Sequence, residues 1–536
     1  MRWRAKTRTK TLIAAALAFA IGAPATAAAV PEDQAPAKRT PAQIMNTKTV
    51  THDGQTYRTG DIGLTKKTLA DLRAKGKKAR VQGLKSLPTT DSAPTPTKPL
   101  KRLQPDAKPL TVNQGYGQSR KEAAAPAGDT APATAGAPAT TSDSPNNHQG
   151  WDPIGTRPPA DRLEACLKPV KFNSYRTYNR FTHCGYYGLA LRYWEVDSNG
   201  VPVELEGTTY IKVKVFGQGD PKQRRTRIFS TVDKGSIDYE WGLIDDWWTA
   251  PGIPFTLEGV CNQPASVCNS SPGGYSAPAA SWDNNPSWVH WDIHNFENGT
   301  QGRDKISFNR WHVRAYTDQP ADGYKTVEPA DIPSRLQRCD SADYMVDRNK
   351  KYPKACIFPE AVPFLTYTLG SDHDEIARHL RAAFNNPNNT YPLPAAPGEP
   401  PKTKKIPGRY TGTASSPGLH RITEKLHEET YKDNRRHKDG ACFYKGRYKD
   451  LYKDTGLPPS KRPDKTKKEE CDEYPFASTV EGAASKKWDF SVRAASRAHN
   501  KRAGNILRVY YLEDRMLAWD ETFTENGNDQ FFMRIK

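Results

Sequence analysis

From Trp151 onward the chain alternates apolar and polar residues in runs that stop at turn-forming residues. The runs GYYGLALRYWEV (185–196), GTTYIKVKVF (207–216), RRTRIFSTV (224–232), KISFNRWHVRAY (305–316) and AVPFLTYTL (361–369) are rich in aromatic and β-branched residues. DSNGV, GQGDP and ENGTQG lie between them. Period-two alternation between turn signals predicts β-strands, and a series of such strands predicts an antiparallel sandwich. The period then changes: Ile376, Leu380 and Phe384, behind a capping Ser371 or Asp372, predict one helix over HDEIARHLRAAF.

Prolines then interrupt the pattern in NNPNNTYPLPAAPGEPPKTKKIPGRY, which predicts a linker at 391–410. Beyond it, 411–536 is long enough for one small α+β domain. Its expected helices cover LHRITEKLHEETYKD (419–433) and AGNILRVYYLED, and its expected closing strand is DQFFMRI. Upstream, residues 30–150 are rich in Pro, Ala, Thr and Lys and hold too little apolar area to offset the entropy of ordering, so they read as a disordered segment, pro-segment or linker. A short amphipathic helix around Leu69, Leu72 and Val81 is the one exception considered. Residues 1–29 read as a secretory signal peptide: MRWRAKTRTK is basic, TLIAAALAFAIGA is apolar and Ala27 to Ala29 offer a cleavage site. The expected fold is therefore multidomain, with a disordered N-terminal segment, an all-β sandwich-like middle domain at 151–390, and a small α+β domain at 411–536.

Composition narrows the setting. No stretch of the expected mature chain reaches the length of apolar residues that spans a bilayer, so it has no transmembrane segment. Eight cysteines fall as neighbouring pairs: Cys166 and Cys184, Cys261 and Cys268, Cys339 and Cys356, Cys442 and Cys471. Zinc sites need ligand spacings that are not present, so four disulfides and an extracellular location are expected. A net charge of +19 draws the chain to polyanions such as DNA or cell-wall polymers. Trp241, Trp247, Trp248, Trp288 and Trp291 either fill the sandwich core or line a carbohydrate or cell-wall contact of the β-domain.

The stretch EECDEYPFASTVEGA (469–483) carries the chemistry. Asp472, Glu473 and Glu481 are concentrated there, between Lys461, Arg462, Lys465, Lys467 and Lys468 on one side and Lys486 and Lys487 on the other. A basic rim attracts phosphates and an acidic centre holds a hard divalent cation, which together suit metal-assisted phosphodiester hydrolysis. The plainer alternative is that Asp472 and Glu473 open a helix, where acids are favoured anyway.

CDEYPFASTVEGA, followed by HNKRAGNIL and NGNDQFFMRI, resembles the NucA/NucB deoxyribonuclease family of small secreted nonspecific endonucleases. The matching positions are Asp472, Glu473, Tyr474, Pro475, Phe476, Ala477, Glu481 and Gly482, then Asn500 and Gly504, then a closing segment with Asp529 and Phe531. The last block departs from the family, with Asn528 between the glycine and the aspartate. The resemblance implies a deoxyribonuclease whose Asp472, with Glu481, holds Mg2+ or Mn2+. Glu473 or His437, which precedes Cys442 much as a family histidine precedes a cysteine, deprotonates the attacking water. Asn500 orients the phosphate or a metal-bound water, while Lys501, Arg502, Lys486 and Lys487 contact the DNA backbone. Which carboxylate is base and which is ligand stays open. The competing readings are an interbacterial nuclease toxin and a non-catalytic protein that binds DNA or cell-wall polyanions. The motif set is expected to be self-contained within 411–536.

Overall fold

The computed structural model describes residues 49–59 and 154–536, apart from 197–201, 242–249, 285, 318–328, 348–349, 401, 413–416 and 524–527. The signal peptide and most of the expected N-terminal linker lie outside the described residues.

The strands expected from alternation pack as two sheets. In the first, Thr182–Val196, Pro202–Gly219, Arg225–Val232, Val289–Asn295 and Cys268–Ser271 lie side by side, all antiparallel. In the second, Tyr275–Pro278, Pro254–Cys261, Ser307–Tyr316, Arg335–Asp340 and Ala355–Ile357 do the same. Leu189, Leu191, Ile211, Val213 and Val215 of the first sheet join Phe255, Leu257, Trp311 and Val313 of the second in one buried core. Trp291 belongs to this core, and Trp288 packs half-buried against Phe216, Phe229 and their neighbours. Trp247 and Trp248 lie outside the described residues, and Trp241 is described only as part of a strand.

The outer face of the first sheet is covered too. The Ala160–Leu167 helix is stapled to it by Cys166–Cys184 and closes over Phe216 and Phe229. A hairpin, Thr49–His52 with Gln55–Arg58, docks beside the long strand, where Arg58 pairs with Leu189 and Tyr57 packs on Ala190 and Tyr210. This hairpin corrects the expectation for residues 30–150 at one place, because Val50, Tyr57 and their neighbours bury enough apolar surface to order a short piece of it.

The C-terminal part has its own core, and its sequence limits differ from those expected. Phe364–Tyr367, which alternates like a sandwich strand, instead pairs in parallel with Phe532–Ile535. The Asp374–Asn385 helix that follows buries Ile376, Ala377, Leu380 and Ala383 against Leu419, Tyr474, Leu507, Tyr511 and Phe531. The expected linker at 391–410 is likewise packed: Lys404 is buried, and its ammonium donates to Thr390 Oγ1 and the Thr390 and Pro392 carbonyls. The expected helix at 419–433 starts only at Glu428 and runs to Phe443, because the backbone of Leu419, Arg421 and Ile422 bridges to Phe531, Thr479 and Ser478. The second helix runs over Arg497–Glu513.

The two parts are fused by a shared interior. Leu512, Leu517 and Phe523 pack against Ile306, Phe308 and Leu336. Beside them, Asp529 binds Arg180 at 2.8 Å and Arg338 at 2.5 Å, and Asp340 binds Arg338 at 3.1 Å and Arg515 at 2.5 Å, with all five side chains buried. The segment 411–536 thus shares its core with the Phe364–Tyr367 strand and the Asp374–Asn385 helix, and its Arg515 and Asp529 complete a buried charge network with Arg180, Arg338 and Asp340. All four disulfides are paired as the sequence spacing suggests.

Candidate active site

The opening of the motif is a strand, not a helix start: Glu469–Tyr474 runs antiparallel to Ser491–Ser496, with Asp472 opposite Arg493 and Tyr474 opposite Ser491. Alternation sends Asp472 and Tyr474 to one face and Cys471 and Glu473 to the other. Cys471 is bonded to Cys442 near the end of the Glu428–Phe443 helix, which fixes that helix against the Glu473 face.

Asp472 is 6% exposed and faces the Asp374–Asn385 helix, where its Oδ2 lies 2.5 Å from His379 Nδ1. The other ring nitrogen, Nε2, is 2.7 Å from Ser491 Oγ. With Asp472 ionised, the imidazole donates to it through Nδ1 and a neutral ring accepts the Ser491 hydroxyl proton at Nε2.

Glu473 accepts a hydrogen bond from Ala477 N at Oε1, while its Oε2 is buried without a partner. Burial pushes its carboxyl up to about 8; nearby Lys438 opposes that rise and the Asp472 charge adds to it. Glu481 is held by one residue twice, Oε2 accepting from His420 N at 2.8 Å and Oε1 lying 2.6 Å from His420 Nδ1. His420 is buried edge-on to Trp519.

The loop between the two acids is shaped by Asn434. Its amide donates to the Ala477 and Thr479 carbonyls, and its carbonyl accepts from Ala484 N. The loop comes so close that a Cβ on Gly482 would sit 2.3 Å from the Asn434 amide nitrogen, so only glycine fits there. Ser478 Oγ and Tyr511 Oη, 2.9 Å apart, tie the same loop to the Arg497–Glu513 helix.

Other residues singled out from sequence stand elsewhere. His437 stacks on Tyr448, with Nδ1 2.6 Å from Tyr452 Oη, and burial lowers its pKa; none of its contacts is to the three carboxylates. Asn500 donates to Glu470 at 3.2 Å. Arg502 pairs with exposed Asp372, Lys487 lies over Trp488, and Lys486 and Lys501 are exposed. Asp529 is spent in the buried arginine network. Sequence reading missed His379, His420, Asn434 and Ser491. His420 and Asn434 lie in a segment read as helix and loop, and nothing local marks His379 apart from its place on an apolar helix face.

Two features bear on binding. A groove of about 800 Å³ is lined by Lys461, Arg462, Lys465, Lys467 and Arg493, and it reaches His379 and Ser491. Among the described residues, Asp472, Glu473 and Glu481 form no ion pair with lysine or arginine. They do not form a tight three-ligand group either; the cluster of that kind among the described residues joins His52 and Asp53 of the docked hairpin to Asp238 at the start of the Asp238–Trp241 strand.

Residues 418–523 match the family described as Deoxyribonuclease NucA/NucB. No curated protein and no solved structure matches the chain. The C-terminal region thus resembles a deoxyribonuclease family whose members generally depend on a divalent metal. The match takes in His420, Asn434, Asp472, Glu473, Glu481 and Ser491 and leaves out His379 and the Phe364–Tyr367 strand.

Proposed function

We propose that the protein is a secreted, divalent-cation-dependent endonuclease that hydrolyses the phosphodiester backbone of DNA without sequence preference. The observation that carries this reading is that three acids of the family-matched segment lie largely withdrawn from solvent with no lysine or arginine partner, in a chain of charge +19. Burying anionic carboxylates without countercharge is costly, and an oxygen-only donor set suits a hard cation. Mg2+ or Mn2+ fits that set, with Asp472 and Glu481 as its carboxylates, each oriented by one histidine. When bound, such an ion stabilises the charge that builds on the phosphate in the transition state.

The chain's own residues supply the rest. Glu473, with a free Oε2 and a carboxyl raised to about 8, is placed to accept the proton of the attacking water once ionised, so its contribution as a base grows as pH rises toward 8. His437 and Asn500 are left out of this reading, since their polar atoms engage Tyr452 and Glu470. The groove lined by Lys461, Arg462, Lys465, Lys467 and Arg493 holds adjacent phosphates, which gives affinity without reading bases.

The test is incubation of the purified chain with plasmid DNA in Mg2+, in Mn2+ and in EDTA. Nicking and then fragmentation are expected with either metal and not with EDTA. DNA that stays intact but is retarded in a gel would instead support a non-catalytic polyanion binder.

A further inference from the structure

The side chain that holds Asp472 comes from outside the family-matched segment. His379 lies on the face of the Asp374–Asn385 helix that also buries Ile376, Leu380 and Ala383, and it is 1% exposed. A polar ring at such a position is costly unless both nitrogens find partners, and a leucine would fill the space without that cost. Both nitrogens are engaged, on Asp472 from one strand and on Ser491 from the next. The ring thus locks the carboxylate relative to its own hairpin. The same two residues, His379 and Ser491, are where the basic groove ends, so this face of the hairpin is the one a phosphate chain approaches.

We propose that His379 is a positioning residue of the nuclease site, whose Nδ1 sets the orientation of the Asp472 carboxylate for the cation and the substrate phosphate. The proposal rests on the nuclease reading above and deepens it: the site is completed by a helix that the matched segment does not contain. Partners that orient metal-binding side chains typically matter 10- to 100-fold in affinity or rate.

Two near-isosteric variants of the full chain separate orientation from packing. In His379→Asn the side-chain amide nitrogen falls near Nδ1 and keeps the bond to Asp472. In His379→Gln the amide reaches the Nε2 position, keeping Ser491 and losing Asp472. Calorimetric titration with Mn2+ alone and plasmid cleavage are measured for both, with thermal melts as the check on folding. His379→Gln is expected to lose about 10- to 100-fold in both Mn2+ affinity and cleavage, and His379→Asn to stay within a few-fold of wild type. A packing role predicts the opposite order, because Asn leaves the larger void. An Asn variant no better than Gln in Mn2+ affinity overturns the inference. A wild-type chain that binds Mn2+ yet leaves plasmid intact overturns the proposed function, while the order of Asn and Gln in Mn2+ affinity still decides this one. A wild-type chain that binds no Mn2+ overturns both.

Discussion

Arg338 and Asp529 meet inside the molecule, Nη1 to Oδ2 at 2.5 Å, one from the second sheet of the sandwich and the other just ahead of the Phe532–Ile535 strand. Burial alone would raise the Asp529 carboxyl, but Arg180 and Arg338 outweigh it and hold the group well below the usual carboxylate range. The stability it contributes is therefore present above the ordinary carboxylate pKa near 4 and is lost as pH falls toward the depressed folded value. Asp529→Asn leaves two buried arginines short of charge. It is expected to cost about 3–5 kcal/mol in urea unfolding at pH 7, with much less difference from wild type in strong acid.

The same relationship sets the size of the folding unit. A fragment of residues 411–536 exposes Leu512, Leu517 and Phe523 and loses Phe364–Tyr367 and the Asp374–Asn385 helix. It is expected to be largely unfolded by circular dichroism and inert toward DNA, whereas the chain from residue 154 onward folds. A fragment with a cooperative melt would contradict this.

Asp514 supplies a pH dependence of the opposite sign. Burial pushes its carboxyl up to about 7; Arg180 opposes the rise and the Asp529 charge adds to it. The folded state keeps the proton between about pH 4 and 7 while the unfolded chain releases it, so this group removes stability as pH rises through that window. Asp514→Asn is expected to melt at a higher temperature than wild type at pH 8 and at a similar one at pH 4. Equal shifts at both pH values would exclude ionisation of Asp514 as the cause.

Asp472→Asn keeps the oxygen that accepts from His379 but loses the charge a hard cation needs. Cleavage is expected to fall at least 100-fold, with the fold intact and DNA binding unchanged or slightly tighter in gel shifts, since a negative charge near the polyanion is gone. A variant retaining more than about a tenth of the activity, a loss under roughly 1.4 kcal/mol, would remove Asp472 from the mechanism.

What the sequence made legible was local. Cysteine spacing foretold the four bridges, and alternation foretold strands such as Thr182–Val196 and Ser307–Tyr316. The motif singled out Asp472, Glu473 and Glu481, which the structure places without a lysine or arginine partner among the described residues. What stayed hidden was set by distant partners. AVPFLTYTL alternates as a sandwich strand would, and only its pairing with Phe532–Ile535 assigns it to the other core. His379 reads as one polar residue on an amphipathic helix until the fold brings it to Asp472, 93 positions away. His437 looked apt because it precedes Cys442, yet two tyrosines are close enough to claim its ring.

Thr366 and Arg534 touch across 168 positions of chain, within the parallel pairing that closes the C-terminal core. Contacts of such long range repay their loop entropy only late in folding, and parallel pairings are slow to form. The helix bearing His379 follows that pairing in the chain and packs on it, so Asp472 has its partner only where the two strands are joined. In an extended chain, newly made or threading through a translocation channel, the carboxylates exist but no assembled centre does. On the reading proposed above, hydrolytic capacity would therefore belong to the folded chain as a whole and not to the motif that carries the acids.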